Sequence, residues 1–284
     1  MLTVIESLNL SEKYLKEKGV SEPRINAEIM LAEILKCKRL DLYLRFDQPL
    51  GENEKAKYRE YLSRRGNHEP LQYILNKTEF YGLEFYVDEN VLIPRPDTEI
   101  LVEEIIERFS KNGNEINILD VGTGSGNIAI SLAVNLPNST ITAVDVSEKA
   151  LEIAGQNAKK NEVQNIEFKA LDIFDETVES FGKSYDIIVS NPPYISKENL
   201  KKTESEVKDF EPAAALTDGA NGMSFYERIS EAGAALLNEK GTLFFEVEKD
   251  ADEKVKMILT NHGYKNVETK KDYSGITRVI WGSR

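Results

Sequence analysis

The stretch Ile116-Asn117-Ile118-Leu119-Asp120-Val121-Gly122-Thr123-Gly124-Ser125-Gly126, INILDVGTGSG, joins a short apolar run to three glycines spaced by single residues, and NIAISLAVN follows at helical spacing. Read as strand, turn and helix, it aims the backbone amides of a helix start at whatever lies above the strand ends. Its glycines permit positive φ and close approach of a ligand. The pattern is GxGxG, not the GxGxxG of most dinucleotide folds. About 20 residues on, TITAVD ends at Asp145, whose carboxylate would lie beside the loop and accept both hydroxyls of a ribose. Alone, a glycine turn also fits tight packing and the aspartate a helix cap. Together, in this order and at this separation, they point to an adenosine-bearing cofactor held by Gly122, Thr123, Gly124, Ser125, Gly126 and Asp145. Asp172, ending IEFKALD, would reach an adenine amino group and Ile173 would pack on the ring; a surface cap and a core side chain are the alternatives for these two.

Outward from this unit, strands and helices alternate: INILDV, helix 127–135, TITAVD, helix 147–160, IEFKALD, YDIIVS, helix 223–237, GTLFFEV and helix 250–262. Such alternation predicts an α/β, Rossmann-like sheet, mostly parallel and covered by helices on both faces. NVETKKDYSGITRVIWG fits a closing hairpin, so the C-terminal strand is expected to run antiparallel, with Trp281 as the outer strand's core contact. Upstream, Ala27, Met30, Leu31, Ile34 and Leu35 recur at helical spacing, and Ser21 with Pro23 resembles a helix start. TEFYGLEFYVDENVLI changes period around Gly82 and predicts a hairpin, which Pro94-Arg95-Pro96 ends stiffly before a helix capped by Asp97. The expected organisation is a small helical domain over 1–75, a hairpin linker over 76–96 and an α/β domain over 97–284.

YDIIV leads into Ser190-Asn191-Pro192-Pro193-Tyr194-Ile195 at the carboxyl end of the fourth strand, where open α/β sheets bind ligands. A planar amide or aromatic amine is a poor nucleophile because its nitrogen lone pair is delocalised. To accept a methyl group the nitrogen must pyramidalise as its two N–H bonds bend away. Two fixed acceptors aimed at those N–H groups favour the bent form, mainly in the transition state. The Asn191 side-chain oxygen supplies one and the Pro192 carbonyl the other. Pro192 and Pro193 fix the backbone that carries both, and Tyr194 offers a flat face for stacking. No general base is required, because the proton becomes acidic only after transfer. A rigid strand exit with a packed tyrosine is the bland alternative.

Among 284 residues, 40% hydrophobic and 30% charged content exclude a disordered or fibrous chain, and no apolar run approaches the roughly 20 residues that span a bilayer. Acids and lysines fill MLTVIESLNLSEKYLKEKG where a signal peptide would be apolar, so a cytoplasmic protein is expected. One cysteine, Cys37, excludes an intrachain disulfide, and with only His68 and His262 no zinc pattern exists. Net charge is −13: residues 1–80 carry 14 basic against 13 acidic side chains, leaving 22 against 36 in the remainder. An acidic catalytic half repels a phosphate backbone, so no direct nucleic-acid partner is expected.

GTGSG, the acid of AVD and NPPY, in this order, resemble class I S-adenosylmethionine-dependent methyltransferases that act on planar nitrogens. RRGNHEPLQYILNKTEFYGLEFYVDENVLIPRPDTEILVE, VSNPPYI and EPAAALTDGANGMSFYERI resemble the release factor glutamine methyltransferase family more specifically. That resemblance implies S-adenosyl-L-methionine as methyl donor and peptide chain release factors as partners, methylated on the glutamine of their Gly-Gly-Gln motif. Carried over by position, Gly122 to Gly126, Asp145, Ile173 and Asn191 would contact the donor. Asn191 to Tyr194 would hold the glutamine, and the helical N-terminus would help dock the factor. NPPY serves an exocyclic amine of adenine or guanine equally well, which keeps a nucleic-acid methyltransferase as the alternative. Arg95 would contact partner or cofactor, or pair with an acid. The chain departs from the family where Glu-Ile-Gly and a nearby Gln are usual: after Glu246 it reads Val247-Glu248-Lys249-Asp250, a difference expected to leave the methyl-transfer site untouched.

Overall fold

A computed structural model describes residues 2–110, 113–175, 177–182 and 184–284. It divides into two compact units: one runs to Asn76 and takes in Glu204–Phe210, and the other holds Lys77–Thr203 and Glu211–Arg284. The hairpin expected as a linker therefore groups with the second unit.

The first unit contains α1 (Val4–Glu17), α2 (Pro23–Ile34), α3 (Asp41–Leu44), α4 (Glu52–Gly66) and α5 (Leu71–Leu75). Thr3 and Glu6 close a capping box at the start of α1, each side chain taking the other's backbone N–H. Val4, Leu8 and Leu15 then fall on one face and pack with Ala27, Met30 and Leu31 of α2 and Tyr58 of α4. Arg65, 2% exposed, is satisfied on three sides: it donates to Asn26 Oδ1 at 2.7 Å, Glu69 O at 3.0 Å and Glu206 Oε1 at 2.7 Å. The last of these bonds ties Glu204–Phe210 into this unit.

In the second unit β1 (Thr78–Phe80) and β2 (Leu83–Phe85) form the hairpin, and α6 (Pro96–Phe109) follows. Then come β3 (Ile116–Val121), α7 (Asn127–Asn135), β4 (Ser139–Asp145), α8 (Glu148–Lys160), β5 (Ile166–Ala170) and β6 (Tyr185–Ser190). The short helices α9 (Lys197–Leu200), α10 (Ser205–Lys208, in the first unit) and α11 (Ala213–Leu216) lead to α12 (Ser224–Leu236). The chain ends with β7 (Leu237–Glu246), α13 (Asp252–Asn261), β8 (Lys265–Lys271) and β9 (Thr277–Ser283). α6 begins at Pro96 after Arg95, so Asp97 stands in its first turn and pairs with Arg278 at 2.9 Å instead of capping it.

Seven strands form one sheet in the order β5-β4-β3-β6-β7-β9-β8, parallel except for β9. Alternate residues of each central strand enter different cores. Ile118, Ile187 and Phe244 meet α6, α7 and the hairpin's Phe80 and Phe85, while Leu119, Ile188 and Phe245 meet α12 and α13. With both faces covered, the strands read as continuous apolar runs. Trp281 lies on β9, which is internal; β8 is the outer strand. The path runs from β3 outward to β5 and then returns to β6 on the other side of β3, so the order reverses between β3 and β6. A crevice opens at the carboxyl ends of strands at such a switch point. Among the described residues no helix is long and apolar enough to cross a membrane.

Candidate active site

The glycine loop is folded back onto β4: Gly122 and Thr123 donate their N–H groups to Val144 O at 2.9 and 3.0 Å, and Gly124 N donates to Asp145 Oδ2 at 2.9 Å. Gly122, Gly124 and Gly126 have φ of 77°, 54° and 81°, the left-handed region where a side chain is strained. Open space surrounds the Cα of Gly122 and Gly124, whereas a Cβ on Gly126 would meet Ile130 Cδ1 at 2.9 Å and Ala154 Cβ at 3.1 Å. Thr123 and Ser125 are buried beneath the loop; Thr123 Oγ1 donates to Asp120 Oδ2 at 2.7 Å. Burial pushes the Asp120 carboxyl up to about 7. Of the five loop residues, Gly122 and Gly124 line the crevice, while Thr123, Ser125 and Gly126 set the shape of the loop.

That crevice is a cavity of about 410 Å³ whose walls include Gly122, Gly124, Asp145, Asp172, Ile173 and Asn191 to Pro193. Asp145 accepts the Gly124 N–H on Oδ2 and the Ser147 N–H on Oδ1, each at 2.9 Å, and the Val146 N–H also bears on the carboxylate. Burial raises its carboxyl and these N–H donors oppose the rise. With about four acceptor sites, the carboxylate keeps room for a further donor. Asp172 takes the Phe174 N–H at 2.8 Å, the local cap, and still borders the cavity; Ile173 is 5% exposed and forms part of its wall.

At the end of β6, Ser190 Oγ donates to Val121 O at 2.7 Å and locks β6 to β3. Asn191 Nδ2 donates to Thr98 Oγ1 at 3.3 Å, Thr98 Oγ1 donates to Glu246 Oε2 at 2.5 Å, and the Tyr194 hydroxyl donates to Glu246 Oε1 at 3.1 Å. The Tyr194 ring packs against the α12 side of the core and is not a wall of the cavity. Burial and the facing Glu246 push its phenol well up. Outside this turn runs the segment from Glu211 to Ser224. Ile195 N donates to Leu216 O and Lys197 N to Ala220 O, at 3.0 and 3.1 Å. Asp218 gathers the N–H groups of Ala220, Gly222 and Ser224 and the Ser224 hydroxyl, which lowers its carboxyl despite partial burial. Arg95 pairs with Glu211, which also takes the Ile93 N–H at 3.3 Å.

Residues 6–75 match the family model described as PrmC N-terminal domain, and residues 112–232 match one described as Methyltransferase domain. A release factor glutamine methyltransferase from Fusobacterium nucleatum subsp. nucleatum is 40% identical over 277 residues, covering 97% of this chain and 77% of that protein. One from Chlorobaculum tepidum is 38% identical over 284 residues, covering 98% and 96%. The chain belongs to the release factor glutamine methyltransferase family. The solved structure of a methyltransferase from Pyrococcus furiosus, 16% identical, shares the fold with a TM-score of 0.53 over 82% of this chain and 98% of its own.

In this member of the family, sequence reasoning overlooked Thr98 and Glu246, which tie Asn191 to Tyr194, and the walls supplied by Asn90, Val91, Leu92 and Phe174. The altered segment, Val247 to Asp250, is not part of the cavity wall. Glu246 itself bonds Tyr194, and Glu248 is partly buried, takes a hydrogen bond from Asn199 and faces the Tyr226 phenol. Among the described residues no group of His, Cys, Asp and Glu is placed to hold a metal ion.

Proposed function

We propose that this protein transfers a methyl group from S-adenosyl-L-methionine to the side-chain amide nitrogen of the glutamine in the Gly-Gly-Gln motif of peptide chain release factors. The observation that carries the reading is that Asn191 and Pro192 border the same cavity as the glycine loop and Asp145. The donor suits these walls. Gly122 and Gly124 leave room for close approach, Asp145 keeps acceptor capacity for a ribose hydroxyl, and Val144 and Ile173 offer apolar surface. At about 410 Å³ the cavity falls within the usual range for small-molecule sites. When bound, the donor supplies an electrophilic methyl on a cationic sulfur.

Asn191 Oδ1 and the Pro192 carbonyl then accept the two N–H groups of the glutamine amide, stabilising the pyramidal nitrogen as its lone pair turns toward the methyl. The prolines keep both acceptors in place, so little ordering remains to be done during reaction. Affinity for an intact factor comes from elsewhere. The helical unit exposes Leu40, Leu44 and Phe46, apolar surface that a protein partner can cover, and remote contacts of this kind position the reacting group.

The test is methyl transfer from tritiated donor to four substrates: intact release factor, the same factor with its glutamine changed to alanine, a Gly-Gly-Gln peptide, and nucleic acid. Labelling of the intact factor far above the other three is expected. Equal labelling of the intact and alanine factors refutes the glutamine assignment, and preferential labelling of nucleic acid replaces it with an exocyclic-amine methyltransferase.

A further inference from the structure

We propose that Glu246 is a positioning residue that, through the hydroxyl of Thr98, decides which end of the Asn191 amide faces the substrate. The proposal rests on the reading of Asn191 as an acceptor for the substrate amide. Its carboxylate lies at the carboxyl end of β7, 2% exposed, and Thr98, in the first turn of α6, is 1% exposed. An ionised carboxylate buried there needs donors on both oxygens. It has them: Thr98 on Oε2 and Tyr194 on Oε1.

A threonine hydroxyl has a single proton. Once that proton is committed to Glu246, Thr98 Oγ1 can only accept from its other neighbour, and the neighbour able to donate is Asn191 Nδ2. The amide nitrogen is thereby drawn toward α6, and Oδ1 is left for the cavity. The reverse orientation would set two acceptors against each other, or take the Thr98 proton from Glu246 and leave a buried carboxylate oxygen without a donor. The negative charge on Glu246 thus fixes the polarity of a group two hydrogen bonds away.

Protonation of Glu246 removes that constraint, because one of its oxygens becomes a donor and the hydroxyls beside it are free to reverse. The groups facing it are Asp97 on α6, which repels the charge, Arg278 on β9, which attracts it, and the phenols of Tyr194 and of Tyr226 on α12. Burial outweighs the attraction and places the carboxyl at about 7. Methyl transfer should therefore decline as pH falls through about 7, although the reacting amide does not titrate in that range.

The experiment measures single-turnover methyl transfer to intact release factor against pH, at saturating donor and factor, with thermal unfolding and donor affinity as controls. Glu246→Gln, whose side chain can accept only on its oxygen, is expected to lose rate on the order of 10- to 100-fold, as when outer partners of metal ligands are removed. Its rate should no longer fall below neutrality. Asp120, with a carboxyl near the same value, is retained in both proteins, so the difference between the profiles belongs to Glu246. Thr98→Val should fall similarly with donor affinity unchanged, and Thr98→Ser should restore the rate. If Asn191→Ala slows transfer while Thr98→Val and Glu246→Gln keep the wild-type rate and profile, the proposal is overturned and the Asn191 reading survives. If Asn191→Ala transfers at the wild-type rate, both fall.

Discussion

Gly222 is the position where a single methyl group should disable the site without touching a ligand. Its φ is 80°, and a Cβ built there would lie 2.1 Å from the carbonyl oxygen of Tyr194 and 3.0 Å from the carbonyl carbon. Carbon and oxygen atoms in contact need more than 3 Å, so Gly222→Ala must separate the two backbones by about 1 Å. Neither side yields easily. The Gly222 N–H is held by Asp218, and the chain after Tyr194 is bonded to Leu216 and Ala220. With Pro192 and Pro193 unable to vary φ, displacement of Tyr194 passes back to Asn191 instead of being absorbed.

Overpacking of this kind costs about 1–3 kcal/mol, and the left-handed conformation adds about 1–2 kcal/mol for alanine. That sum is below the stability of most domains, so the variant should fold with a lowered Tm. Its chemistry should suffer more, because a displacement near 1 Å at a reacting group costs about 10²-fold in rate. Gly219→Ala is the control: its φ is 72° and nothing lies within 4 Å of the added carbon, so it carries the backbone strain without the collision. Single-turnover transfer at saturating donor and factor separates the two. A folded Gly222→Ala with the wild-type rate, or a Gly219→Ala that loses as much, would refute the reasoning.

Asp145→Ala should weaken donor binding by roughly 1.5–3 kcal/mol, the value of hydrogen bonds to a charged group, and calorimetry showing unchanged affinity in the folded variant would remove Asp145 from the site. Asn191→Ala should lower turnover by about 10²–10³, the cost of one preorganised polar group at a developing charge, as read in single-turnover transfer. Asp120 and Glu246, both raised to about 7 from ordinary values near 4, bind more protons folded than unfolded between about pH 4 and 7. Stability should fall as pH rises across that window and level off above it. Urea midpoints for Asp120→Asn and Glu246→Gln should each lose part of that slope, and unaltered slopes would show that the two carboxyls do not titrate there.

Much of the sheet was legible because its physics is local. A strand buried on both faces is apolar along most of its length, and INILDV, TITAVD and YDIIVS all became strands with the expected ends. β7 begins four residues before GTLFFEV, at Leu237, and runs through polar Asn238-Glu239-Lys240, where exposure erased the pattern and the register with β6 shifts. The hairpin of β8 and β9 could be read as a pair, but the reading left Trp281 on the outer strand. The clue lay in composition: KNVETKK is mostly exposed, whereas Val279, Ile280 and Trp281 are buried on both faces. A strand apolar on both sides belongs inside a sheet, and a charged one can blunt its edge.

The same contrast explains why the site was read only in part. Asp120 and Glu246 are both acids interrupting apolar strands, INILDV and GTLFFEV, and an acid in such a run is costly to bury unless it is satisfied. Asp120 finds Thr123 three residues on, inside the glycine loop, so its partner could be reached from the motif itself. Glu246 finds Tyr194 and Thr98, 52 and 148 residues away, and neither a threonine in the first turn of a helix nor a tyrosine after two prolines announces that it has a carboxylate to serve. A buried charge therefore marks where a network must exist, while only the topology that brings α6, β6 and β7 together names its members.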